Sequence, residues 1–178
     1  MHIPIAQPSL GKEENEAVLA VLASGMIAQG PVTAAFEDEF AAYCGVPHAV
    51  AVSNGTTALH AALLAAGVGP GDEVVVPAFT FFATASSVSM CGAVPVFADV
   101  DAVTATIAPA DIITKVTSKT KAVIGVHLYG QPCDAGAVRD ICDDKGLVFI
   151  EDAAQAHGAE YRGKRAGPNL PRGTVSLS

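Results

Sequence analysis

Five short apolar runs constrain the fold of this chain more than any other feature: His48–Val52, Glu73–Val76, Pro95–Ala98, Lys121–Val126 and Leu147–Ile150. None alternates apolar with polar residues. A strand that is apolar on both sides has to be covered on both sides, and that is the situation of a parallel sheet held between two layers of helices. The segments between the runs supply the helices. Glu13–Leu22 is ended by Ser24-Gly25, and Val32–Tyr43 carries Phe36, Phe40 and Tyr43 at helical spacing with Gly45 after it. Thr56–Ala66, Phe82–Met90, Pro109–Val116 with proline in its first turn, and Ala135–Asp143 complete the set. Strand, helix and parallel strand connect by right-handed crossovers. The expected architecture is a doubly wound α/β domain, three-layered α/β/α, with a mainly parallel sheet.

Composition agrees and narrows the function. Over 178 residues, 51% are hydrophobic and only 16% charged, enough for one well-buried domain. The net charge of −8, from 18 acids against 10 bases, argues against nucleic acid, because phosphate binding depends on a basic surface. Cys44, Cys91, Cys133 and Cys142 show neither a C-x-x-C pair nor metal-finger spacing, and read as free thiols of a reducing compartment. No basic segment followed by an apolar one opens the chain, and no apolar run approaches the ~20 residues of a membrane span. A cytoplasmic protein is expected, with neither membrane nor nucleic acid as a partner.

In open parallel sheets, ligands collect at the carboxyl ends of the strands. The segments that follow the runs are therefore the candidate site. They are Ser53-Asn54-Gly55-Thr56-Thr57, Pro77-Ala78-Phe79-Thr80-Phe81-Phe82, Asp99-Val100-Asp101, His127-Leu128-Tyr129-Gly130-Gln131, and Glu151-Asp152 after the last run. Each has a functional and a plain structural reading. Free N–H groups and hydroxyls at Gly55 and Thr56 form a phosphate cradle, or the segment simply caps a helix. Phe79, Phe81 and Phe82 fill core, or one of them covers a flat heterocycle. His127 and His157 act as acid/base groups, or are core histidines bonded to backbone. Asp99 and Asp101 read as turn caps, and no metal site is expected. Arg162, Lys164, Arg165 and Arg172 form a solvated loop or touch an anion. A buried carboxylate at Asp152 stays ionised only beside a cation: a metal, an arginine or a protonated heterocycle. No Gly-Lys-Ser/Thr follows the first turn, and no G-x-G-x-x-G is present, which excludes the common nucleotide loops.

These motifs, in this order, resemble the DegT/DnrJ/StrS sugar-nucleotide aminotransferases of the fold-type I, aspartate aminotransferase-like superfamily. The similarity runs from Gly25-Met26-Ile27-Ala28-Gln29-Gly30-Pro31 through Ser53–Leu59, Gly69-Pro70-Gly71-Asp72-Glu73-Val74, Pro77–Phe81 and Val126–Gly130 to Glu151-Asp152-Ala153-Ala154-Gln155. It implies pyridoxal 5′-phosphate as cofactor. Gly55 and Thr56 then bind its phosphate, Phe81 stacks on the ring, Asp152 pairs with the pyridine nitrogen, Gln155 contacts the phenolic oxygen, and Ser178 takes a second phosphate contact. Ile27, Gln29 and His127 are implied in substrate binding.

The implied reaction moves an amino group, usually from glutamate, to a keto group on a nucleotide-linked deoxysugar, in a homodimer. The implied organisation is an N-terminal helix and site-bordering segment over 1–30, then the cofactor-binding large domain over 31–178. The Schiff-base lysine would follow Ser178, so no catalytic residue is assigned, the small C-terminal domain is expected to be absent, and the chain alone is expected to be inactive. A sugar dehydratase of the same family, or a non-catalytic binding fragment, are the alternatives.

Overall fold

The computed structural model describes residues 7–165. They fall into two units, one reaching to Tyr43 and taking in Pro47–Ala51, the other made of Cys44–Val46 and the described residues from Val52 onward. The smaller unit carries α1 (Lys12–Ser24) and nearly all of α2 (Pro31–Cys44). In α2 the rings of Phe36, Phe40 and Tyr43 meet in sequence, with centroids 5.6 and 6.4 Å apart, as their spacing predicts.

His48–Val52 is not a strand. Strands exist only as pairs, and among the described residues nothing forms a ladder with this run. The Ala51 N–H is instead taken by Glu37 Oε1 at 2.8 Å.

The larger unit alternates helix and strand: α3 (Gly55–Ala65), β1 (Glu73–Pro77), α4 (Ala83–Met90), β2 (Val94–Ala98), α5 (Pro109–Lys115), β3 (Thr120–Val126), α6 (Ala135–Lys145) and β4 (Val148–Asp152). All four strands pair in parallel, in the order β2-β1-β3-β4. Two apolar cores sandwich the sheet. On one face Val74, Val76, Ile124 and Ile150 meet Leu59, Leu63 and Val88 of α3 and α4. On the other, Val75, Val123 and Phe149 meet Ile112 of α5 and Val138 of α6. In β1, β3 and β4 the even-numbered residues thus face α3 and α4 and the odd-numbered ones α5 and α6, while in β2 the parity is reversed, with Val96 and Ala98 on the α5/α6 side. The three-layer α/β/α expectation holds.

Two local outcomes differ from the sequence reading. β4 does not stop at Ile150 but carries Glu151 and Asp152 inside it, paired with Gly125 and Val126 of β3. The basic stretch near Arg162 is not a plain loop either. β5 (Glu160–Tyr161) and β6 (Lys164–Arg165) form an antiparallel pair, turned at Arg162 and Gly163 with φ of +52° and +74°. The Tyr161 hydroxyl bonds Asp134 Oδ1, and Arg162 Cζ lies 5.0 Å from the Tyr161 ring centre. None of the described helices is long and apolar enough to cross a membrane.

Candidate active site

α3 begins where Asn54, in extended backbone, turns its side chain back on the helix. Its Oδ1 accepts from the Thr57 N–H at 2.9 Å, and its carbonyl accepts from the Ala58 N–H at 3.1 Å. Those two bonds leave the Gly55 and Thr56 N–H groups as first-turn donors, at the positive end of the helix dipole. The capping and cradle readings of this motif are therefore compatible: Asn54 caps, and Gly55 and Thr56 face outward. Asn54→Ala is expected to lower stability by about 0.5–2 kcal/mol in chemical denaturation, the ordinary cost of losing such a cap.

The same helix start borders a cavity of about 280 Å³ at the carboxyl ends of β1, β3 and β4. Gly55 and Thr56 line it from α3, Phe81 from the segment after β1, Asp152 from β4, and Gln155 from the segment after β4. Those are the five described residues for which the resemblance implied cofactor contact. Ser178, the sixth, lies outside the described residues. Thr80, Ala83, Val126 and Leu128 complete much of the wall and were not singled out from sequence. Val126 and Leu128 have even numbers in and just beyond β3, and the alternation that buries Ile124 on this face carries them to the cavity.

That alternation also decides between the two carboxylates. Asp152 follows Ile150 onto the cavity face, while Glu151 follows Phe149 onto the α5/α6 face. Asp152 is buried, and burial pushes its carboxyl above the usual carboxylate range. A hydrogen bond from the Ala154 N–H, 3.0 Å from Oδ1, and the imidazoles of His127 and His157 work weakly the other way. A carboxyl in this state is ionised readily once a cation is brought to it.

Phe81 is 68% exposed, so it is not core, and its ring stands at the cavity without being consumed by packing. Phe79 and Phe82 are exposed as well. Gln155 Oε1 accepts from the Tyr129 N–H at 3.0 Å.

His127 does not reach the cavity. It is fully buried on the opposite face, where its Nδ1 accepts from the Cys133 N–H at 3.1 Å. Its ring proton therefore sits on Nε2, 3.4 Å from Glu151 Oε1 but not aligned for a hydrogen bond. The backbone reading of His127 holds: the residue directly follows β3 and lies on the face away from the cavity. Ile27 and Gln29 belong to the smaller unit and are exposed there. Asp101 caps a turn, its Oδ1 accepting from the Val103 and Thr104 N–H groups at 2.9 Å each. All four cysteines are free and buried, and burial pushes Cys133 and Cys142 up to about 12, which leaves them unreactive.

Comparison with known proteins gives consistent results. The model of the DegT/DnrJ/EryC1/StrS aminotransferase family matches residues 8–176. The GDP-perosamine synthase of Caulobacter vibrioides is 48% identical over 166 residues, which are 93% of this chain and 45% of that protein. The dTDP-3-amino-3,4,6-trideoxy-alpha-D-glucose transaminase of Streptomyces venezuelae is 45% identical, covering 94% of this chain and 44% of that protein. A structure of Spr1654 of Streptococcus pneumoniae, described as a sugar aminotransferase in its PLP form, superposes with a TM-score of 0.89 at 32% identity. It covers 94% of this chain, which itself covers 46% of Spr1654. The chain thus spans a little under half the length of the relatives it matches.

Proposed function

This chain belongs to the DegT/DnrJ/EryC1/StrS aminotransferase family, and we propose that its cavity holds pyridoxal 5′-phosphate for amino transfer to a keto group of a nucleotide-linked deoxysugar. The observation that carries the proposal is the convergence of Gly55, Thr56, Phe81, Asp152 and Gln155 on one cavity at the carboxyl edge of a parallel sheet.

The residues fit the group. A phosphate dianion needs N–H donors at a helix start, and the α3 N-terminus offers those of Gly55 and Thr56, with no Cβ at Gly55 to fill the space. A flat aromatic ring needs an apolar plate, and Phe81 offers an exposed one. A protonated ring nitrogen needs a carboxylate, and Asp152 is a buried carboxyl whose ionisation a neighbouring cation would favour. Neither charge is then buried alone. When bound, the cofactor supplies an electron sink for the substrate's carbanion. The protein's part is to hold the ring nitrogen protonated, anchor the phosphate and keep the ring face covered.

The reading includes glutamate as donor, substrate contacts from Ile27 and Gln29, a second phosphate contact from Ser178, and a homodimer. The GDP-sugar and dTDP-sugar names of the two relatives support a nucleotide-linked substrate and leave its base open.

Pyridoxamine 5′-phosphate, the amine form of the cofactor, needs no lysine to bind and is the direct probe. Titrated into the chain, it is expected to give a saturable one-to-one signal by calorimetry and by ring absorbance. Inorganic phosphate should compete, because the helix start recognises the phosphate alone. Absence of any saturable signal up to about millimolar ligand would count against the assignment.

A further inference from the structure

Directly after the cavity-lining Leu128, the backbone is left-handed at Tyr129. It has φ of +53°, and Gly130 beside it has φ of +85°. Two consecutive left-handed residues make a mirror-image turn, closed here by the Gln131 N–H donating to the Leu128 carbonyl at 2.9 Å. The first position of such a turn favours glycine, asparagine or aspartate, and tyrosine is strained there. Its ring is 76% exposed, so packing of the side chain does not account for the strain.

The bond that closes the turn does not use the Tyr129 N–H. That group donates 3.0 Å to Gln155 Oε1. A backbone N–H can only donate, so the amide end facing it must be the oxygen. The two Nε2 donors are then the end of Gln155 left for the cavity it lines. A glutamine whose oxygen faced the cavity would repel an anionic or acceptor group on the ligand, and one whose nitrogen faces it attracts that group.

We propose that the Tyr129–Gly130 turn is a positioning element, which locks the Gln155 amide with its NH₂ toward the cavity and makes this wall selective for a ligand carrying an acceptor oxygen. The inference rests on the cofactor reading above and adds to it the group that orients Gln155. Tyr129 touches no reacting atom. It acts through Gln155.

A double-mutant cycle on pyridoxamine 5′-phosphate affinity tests this. Gly130→Val puts a β-branched residue at a left-handed position and displaces the turn. In the parent background it is expected to weaken binding roughly tenfold, the worth of one hydrogen bond to a charged group. In a Gln155→Met background it is expected to change nothing further. Equal loss in both backgrounds would make the turn a general structural element and overturn the inference, as would no loss in the parent.

Gln155→Glu keeps the acceptor for Tyr129 but removes both donors, and is expected to weaken binding by about a hundredfold. Parent-like binding by this variant overturns the inference even if Gly130→Val fails to fold. A parent chain that binds no pyridoxamine 5′-phosphate overturns the cofactor reading and this one together. Loss confined to the cycle's prediction sinks this one alone.

Discussion

Asp152→Ala is expected to weaken pyridoxamine 5′-phosphate binding by roughly 100- to 4,000-fold, since removing one partner of a buried ion pair costs about 3–5 kcal/mol. Asp152→Asn keeps the shape and the acceptor for the Ala154 N–H, and should lose nearly as much, because the charge is what the ring nitrogen requires. Binding of either variant within about threefold of the parent would remove Asp152 from the site.

The empty protein should respond in the opposite direction. Burial raises the Asp152 carboxyl in the folded chain. The fold therefore favours the protonated form, and that contribution to stability is complete below the usual carboxylate range and lost as pH rises through the raised value. At neutral pH the ionised side chain is a liability that a neutral amide lacks. Asp152→Asn is expected to stabilise the ligand-free chain at pH 7 by on the order of 0.5–2 kcal/mol, the scale seen when functional residues are relieved of their roles. The gain should shrink as pH falls toward the acid range, which a series of thermal melts across pH would show. A residue kept at the expense of stability and needed for binding is the signature of a functional carboxylate.

The second large effect lies under the sheet's other face. Gly125 of β3 has Phe149 of β4 against it, and a Cβ there would stand 2.8 Å from Phe149 Cε2 and 3.1 Å from Cys133 Sγ. Phe149 is 2% exposed and belongs to the α5/α6 core. Gly125→Ala is therefore expected to destabilise by about 1–3 kcal/mol through overpacking. Phe149→Ala is expected to cost about 3–5 kcal/mol through the cavity it leaves. Combined, the two should cost no more than Phe149→Ala alone, because the new methyl occupies space the ring vacated. Urea unfolding of the four proteins measures this, and simple additivity would mean that the two sites do not share the contact.

Much of this was legible in one dimension. The apolar runs of β1, β2, β3 and β4 read as strands from their length and unbroken apolar character. The cap at Asn54 and the proline opening α5 are local signals, carried by residues within one turn of the boundary they set. His48–Val52 was misread for a complementary reason. It has the composition of a strand, but strand formation depends on a partner, and composition does not say whether one is there. The Arg162–Gly163 turn was missed because its pairing spans only two residues on each side, too short for periodicity to register.

The residue types of the site were set by the sequence alone: a helix start rich in donors, an exposed aromatic, a carboxylate at a strand end and an amide three residues on. Motif order was enough to relate them to a family. What the sequence could not decide was which side of the sheet each faced. Glu151 and Asp152 are adjacent, and so are Val126 and His127, and in each pair one member enters the cavity while the other is sealed behind it. That choice depends on where β4 ends and how it registers on β3, which only the paired strands determine. A strand's side chains alternate with a period of two, so a register shifted by a single residue exchanges the buried partner for the functional one.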